Sequence, residues 1–169
     1  MRLFSALLPP AGAVGELRDE LVRLGAGGDG LRWEPAARWH LTLGFYGEDD
    51  LGERLDWLGA RLAGCAAPTV RLAGAGTFPG VLWAGVDAEG LAALAGRVAP
   101  VGMDRPYRPH LTLARASAGV PEHWPERLAG FRGGPWTATE AVLMSSERGA
   151  GGVEYTVVGR WSLGVEHGR

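Results

Sequence analysis

Two identical tetrapeptides, His40-Leu41-Thr42-Leu43 and His110-Leu111-Thr112-Leu113, stand seventy positions apart in a chain of 169 residues. In an extended strand, successive side chains point to opposite faces. His40 and Thr42 therefore share one face, Leu41 and Leu43 share the other, and the second copy repeats the arrangement. One such segment alone would be ordinary strand decoration. Packing asks only for the leucines, so an unchanged second copy points to a use for the imidazole and the hydroxyl. An unperturbed imidazole titrates near pH ~6.5 and can serve as acid or base around neutrality. Two of them on opposite sides of a phosphorus atom, one neutral and one protonated, meet the needs of in-line displacement at a phosphodiester. One takes the proton of the attacking oxygen and the other gives a proton to the leaving oxygen. Thr hydroxyls and nearby Arg side chains can bond the non-bridging oxygens as negative charge develops there.

The elements that must position these groups can be read from periodicity. Arg2 to Leu8 reads as a strand ended by Pro9-Pro10, and Val14, Leu17, Leu21 and Leu24 give a helix with one apolar face. After the flexible run Gly25 to Gly30 come a short strand, Leu31 to Glu34, and the first motif strand, Trp39 to Tyr46. Asp49 and Asp50 stand where a helix start favours negative charge, followed by the stripe Leu51, Leu55, Leu58 and Leu62. Thr69 to Ala75 and Val81 to Val86 read as strands paired around Pro79-Gly80, and Leu91, Leu94 and Val98 mark a third helix. Val101 to Pro109 is irregular and His110 to Ala114 is the second motif strand. Glu122 to Phe131 holds a short helix, and Trp136 to Ser146 and Val153 to Leu163 read as two strands joined at Gly149 to Gly152. This order predicts an α+β fold with mainly antiparallel pairing, and no linker divides residues 1–169 into two domains.

Composition narrows the chemistry. The net charge of −2 is too near neutral for an extended nucleic-acid track, although a pocket gripping one or two phosphates is allowed. All 17 basic residues are Arg. The absence of Lys excludes a nucleotidyl-lysine intermediate, a Schiff base and a P-loop lysine, so the run Gly25-Ala26-Gly27-Gly28 is no phosphate loop. Cys65 is the sole cysteine and reads as a small, buried or half-buried apolar residue. Four dispersed His give no metal spacing, so neither a metal nor a cofactor is expected. Leu3 to Leu8 is too short for a signal-peptide core and no stretch reaches membrane-span length. A cytoplasmic protein is expected, acting as a monomer and without membrane contact.

The residues around both motifs carry a family resemblance. Arg2-Leu3-Phe4, Arg32-Trp33, His40-Leu41-Thr42-Leu43-Gly44-Phe45-Tyr46-Gly47-Glu48, Gly76-Thr77-Phe78-Pro79, Leu82-Trp83 and Arg108-Pro109-His110-Leu111-Thr112-Leu113-Ala114-Arg115 are involved. Together they resemble the two-histidine (2H) phosphoesterases, in the bacterial and archaeal branch of RNA 2′,3′-cyclic phosphodiesterases formerly called 2′-5′ RNA ligases. The resemblance implies a bilobal, pseudo-twofold fold with helices packed outside and both motifs in a central cleft. It further implies metal-independent opening of a 2′,3′-cyclic phosphate, on RNA ends or small cyclic nucleotides, to a 2′-phosphomonoester. By that similarity His110 is the base toward water and His40 the acid toward the 3′ oxygen, on a sequence that is itself symmetric on the point. Thr42, Thr112 and Arg115 would hold phosphate oxygens. The residues leave open 2′-5′ ligation of RNA ends, opening of an ADP-ribose cyclic phosphate, or a binding module without catalysis. The chain departs from the family pattern at Tyr46, where Leu is common and little consequence is expected. It departs again at the tight Pro79–Val81 turn, where relatives often carry a longer basic loop.

Lesser candidates surround the motifs. Arg32 and Arg38 precede the first and Arg105 and Arg108 the second, as suits an anionic substrate. Phe45, Trp39 and Tyr107 are rings that could stack on a base, with core packing the expectation for Trp39 and Tyr107. Phe45, Tyr107 and Arg108 are the expected additional substrate contacts. His123 and His167 read as solvent-exposed and uninvolved.

Overall fold

Strand β1 (Arg2–Leu7) lies inside an antiparallel sheet, flanked by β3 (Leu41–Glu48) and β8 (Glu140–Gly149), with β9 (Gly152–Ser162) beyond β8, in a computed structural model that describes residues 1–164. A second antiparallel sheet has the order β2-β6-β5-β4-β7, formed by β2 (Arg32–Trp33), β6 (His110–Arg115), β5 (Val81–Glu89), β4 (Thr69–Phe78) and β7 (Trp136–Thr137). Each motif strand is thus bonded to one long partner, β3 to β1 and β6 to β5. The mixed α+β architecture with antiparallel sheets agrees with the order of elements read from the sequence.

Among the described residues, four α-helices complete the fold: α1 (Ala11–Arg23), α2 (Leu51–Leu62), α3 (Leu91–Arg97) and α4 (His123–Leu128). Helix α2 begins as its sequence predicts, with the Asp50 carboxylate accepting the Glu53 amide at 2.8 Å. Leu41, Leu43, Leu111 and Leu113 are all buried, in one cluster that also takes leucines from α1, α2 and α3, Leu128 of α4 and Leu3, Leu7, Leu72 and Leu82 of the strands. A fully buried leucine contributes ~1.5–3 kcal/mol. The leucines of the two motifs therefore fix both strands to one core, which is what holds the opposite face of each strand in place. Among the described residues no helix is long and apolar enough to cross a membrane.

One expected element divides. Trp136 to Ser146 is not a single strand: β7 pairs with β4 in one sheet, whereas β8 pairs with β1 in the other. The chain crosses between sheets at Ala138 and Thr139, whose backbone bonds go to Pro68 and Leu163. Strand periodicity continues through such a crossing, so alternation alone does not reveal it. The Gly149–Gly152 turn and the Pro79-Gly80 turn are as read, Gly80 taking φ +73°. His123 opens α4 and is exposed; His167 lies outside the described residues.

Candidate active site

Each motif strand carries a one-residue bulge at its second leucine. Ser5 pairs with Gly44 and Ala6 with Thr42, leaving Leu43 unpaired; Leu82 pairs with Ala114 and Trp83 with Thr112, leaving Leu113 unpaired. A bulge places two residues of one strand opposite one of its neighbour and reverses the alternation beyond it. Leu43 and Gly44 are consequently both buried, as are Leu113 and Ala114. The next residue in each copy returns to the face of the Thr. Phe45 pairs with Phe4, which shares a face with Ala6 and Thr42; Arg115 pairs with Val81, which shares a face with Trp83 and Thr112. The histidine, the threonine and the fifth residue beyond the histidine are thus presented together, twice, as His40-Thr42-Phe45 and His110-Thr112-Arg115.

Both imidazoles are pinned in the same way. His40 Nδ1 lies 2.8 Å from the carbonyl oxygen of Arg38, and His110 Nδ1 lies 2.8 Å from that of Arg108. A carbonyl only accepts, so Nδ1 carries the hydrogen in each ring and Nε2 is the free nitrogen of the neutral form. Aromatic rings hold the imidazoles from the sides. His40 meets Phe4 at 4.9 Å and Tyr155 at 5.3 Å between centroids, and His110 meets Phe78 at 5.0 Å and Trp83 at 6.2 Å. Burial holds His40 below the ordinary histidine range, aided by the charges of His110 and Arg115, while its bond to Arg38 and the carboxylate of Glu34 oppose the shift. His110 and Arg115 thus act electrostatically on His40 from the other sheet.

A cavity of about 910 Å³ opens beside the second motif, reached by Thr42, Phe45, Phe78, Tyr107, Arg108 and His110. Arg105 also lines it, together with small residues of α3. Phe45 is 46% exposed, with the Arg2 guanidinium 5.2 Å from its ring centroid. The Tyr107 hydroxyl, in contrast, is engaged: it donates to the Thr42 carbonyl at 2.7 Å and ties the segment before the second motif to the first. Trp39 is buried and donates to the Glu34 carbonyl, the core role expected of it. Arg115 also forms an ion pair with Glu34 at 3.5 Å, and Arg32 stands opposite it across the β2–β6 ladder. Arg38 holds His40 through its carbonyl. Cys65 is half-buried, with Sγ on the Arg61 carbonyl. Among the described residues, no three His, Cys, Asp or Glu side chains gather as metal ligands would.

Two neighbours of His40, Tyr155 and Glu34, are not singled out by the sequence, whereas Phe4 and Phe78 belong to segments that carry the family resemblance. Phe4, Phe78 and Tyr155 come from strands other than those of the motifs, and only strand register reveals their proximity to the histidines. Tyr46 also does more than its sequence position suggests. Its hydroxyl bonds Ser5 Oγ and donates to the Val98 carbonyl, both at 2.8 Å. Burial pushes that phenol up to about 12. Room for the hydroxyl exists because residue 44 is Gly: a Cβ there would lie 2.6 Å from the Val98 oxygen and 2.9 Å from the Tyr46 oxygen.

Comparison with known proteins follows the same outline. The sequence matches the family described as LigT like Phosphoesterase over residues 8–86 and 84–155. It is 38% identical to the RNA 2′,3′-cyclic phosphodiesterase of Thermus thermophilus, with 100% of this chain and 93% of that protein covered. The crystal structure of TT0787 from T. thermophilus superposes with a TM-score of 0.75 at 33% identity, covering 99% of this chain and 100% of that one. Escherichia coli LigT in complex with 3′-AMP superposes with a TM-score of 0.77 at 26% identity, over 96% and 97% of the two chains.

Proposed function

The chain belongs to the LigT-like phosphoesterase family, and on that premise we propose that it opens 2′,3′-cyclic phosphates at RNA ends or on small nucleotides, leaving a 2′-phosphomonoester. The observation that carries this reading is the doubled, identically pinned imidazole, each with Nδ1 on a backbone carbonyl and Nε2 free. Water attacks phosphorus as one Nε2 takes its proton, and the bond to the ribose 3′ oxygen breaks as the other imidazolium supplies a proton. Charge gathers on the non-bridging oxygens, where Thr42, Thr112 and Arg115 provide donors. No covalent enzyme intermediate is needed. His110 is the base and His40 the acid in the assignment that the family resemblance supplies. Phe45 offers its exposed ring to a base, and Arg108 stands at the rim of the same cavity. The Tyr107 ring can line that cavity, whereas its hydroxyl is committed to Thr42.

The experiment is product analysis with the four nucleoside 2′,3′-cyclic phosphates and an oligonucleotide ending in one. The expected product is the 2′-monoester. A 3′-monoester, or joining of RNA ends or opening of an ADP-ribose cyclic phosphate in place of this hydrolysis, would replace the reading.

The burial of His40 predicts a pH signature. In the free protein its ring loses its proton below the ordinary histidine range, which NMR titration of the His40 ring protons should read directly. A bound phosphate stabilises the imidazolium, so 2′-AMP should move that titration to higher pH. A His40 ring that titrates above the ordinary histidine range in the free protein would contradict this account.

A further inference from the structure

Of the two aromatic rings beside His40 among the described residues, Phe4 and Tyr155, that of Tyr155 in β9 carries a polar group over the cleft face of the first sheet. Its register explains the position. Tyr155 pairs with Ser146, Ser146 alternates with Met144, and Met144 pairs with Phe4, so Tyr155 and Phe4 emerge on one face. The tyrosine ring stands edge-on to both, 5.3 Å from Phe4 at 76° and 5.3 Å from His40 at 87°. It is half-buried, and among the described residues no hydrogen-bond partner meets its hydroxyl. Glu34, Arg115 and Arg38 are the charges that act on that hydroxyl, and Glu34 and Arg115 also act on His40. The phenol oxygen and His40 thus share one charged surround.

We propose that Tyr155 is a substrate-contacting residue, its ring seating His40 edge-on and its hydroxyl donating to an oxygen of the bound phosphate. The proposal rests on the phosphodiesterase reading for its substrate but on the Tyr155–His40 geometry for its place. Burial chiefly raises the phenol above its usual value, and Glu34 adds to this against Arg115 and Arg38. The hydroxyl therefore stays a protonated donor across the working pH range. Phe45 and Arg115 are supplied by the motif strands themselves, whereas this donor comes from the C-terminal hairpin, far from either motif in sequence.

Tyr155→Phe keeps the ring against His40 and Phe4 and removes only the hydroxyl. The expected result is a fall of about tenfold to a hundredfold in kcat/KM on 2′,3′-cyclic AMP, the range for losing a hydrogen bond to a charged group. A weaker grip on 2′-AMP in calorimetry should accompany it, with both limbs of the pH profile unmoved. Tyr155→Leu should lose more and shift the limb that reports His40. If Tyr155→Phe matches the native protein within twofold in turnover and in 2′-AMP affinity, the hydroxyl contact is overturned, even where Tyr155→Leu is impaired. Native protein without turnover on any cyclic phosphate would defeat the phosphodiesterase reading instead, and 2′-AMP affinity would still decide the role of Tyr155.

Discussion

Alanine at His40 or at His110 is expected to lower kcat on a 2′,3′-cyclic nucleotide by about a hundredfold to ten-thousandfold, the range for losing one general acid or base. In the proposed mechanism the two imidazoles serve one in-line displacement, so the double variant should cost far less than the product of the single losses. Once either proton transfer is missing, the other has little left to accelerate. His40 and His110 side chains are bonded through Nδ1 to their own strand entries, Arg38 and Arg108, and not to the core. The variants should therefore fold, which circular dichroism and a melting curve would verify. Steady-state assays on 2′,3′-cyclic AMP make the measurement. Either single variant retaining activity within tenfold of the native protein would remove that histidine from the chemistry.

Gly44→Ala should produce a marked loss of stability beside the site. The same position in the second copy is Ala114, which is buried without difficulty, so the sequence alone would rate the change as harmless. The structure predicts otherwise, because the new methyl group would meet the Val98 carbonyl and the Tyr46 hydroxyl at once. Tyr46 would have to leave, stranding the Val98 oxygen and leaving Ser5 Oγ only its longer, 3.5 Å bond to the Gly44 carbonyl. Overpacking costs ~1–3 kcal/mol and an unsatisfied buried polar group a similar amount. A loss of about 3 kcal/mol would lower Tm by ~6–12 °C for a chain of this size. Pairing the change with Tyr46→Phe, which removes the obstructing oxygen, should recover part of the loss. A melting temperature within a degree of the native protein would contradict this account.

Much of this is legible in the sequence because the motifs are strand segments with strict alternation. His, Thr and Leu sort to two faces by counting alone, and Asp50 announces the start of α2 by its chemistry. What stays hidden depends on register. The bulges at Leu43 and Leu113 leave no mark in composition, yet they decide that Phe45 and Arg115 face the threonines. Tyr155 follows from β9 pairing with β8, and the division of Trp136 to Ser146 from strands joining different sheets. Tyr46 matters more than its place in the motif suggests because its partners, Ser5 and Val98, are distant in sequence on either side.

The paired bulges also bear on regiochemistry. A cyclic phosphate offers two ester oxygens of nearly equal chemistry, and a cleft made of two perfect copies would treat them alike. It would then release a mixture of 2′- and 3′-monoesters. Up to the bulge the copies are the same, letter for letter. The first position beyond it that faces the cleft is an uncharged ring in one copy, Phe45, and a cation in the other, Arg115. At this pair the symmetry is broken, so under the proposed reading the substrate would have one way round to lie, with its base toward the ring and its charge toward the guanidinium. The choice of which ester survives would then be made by two side chains that a single unpaired leucine in each strand has turned to face the same space.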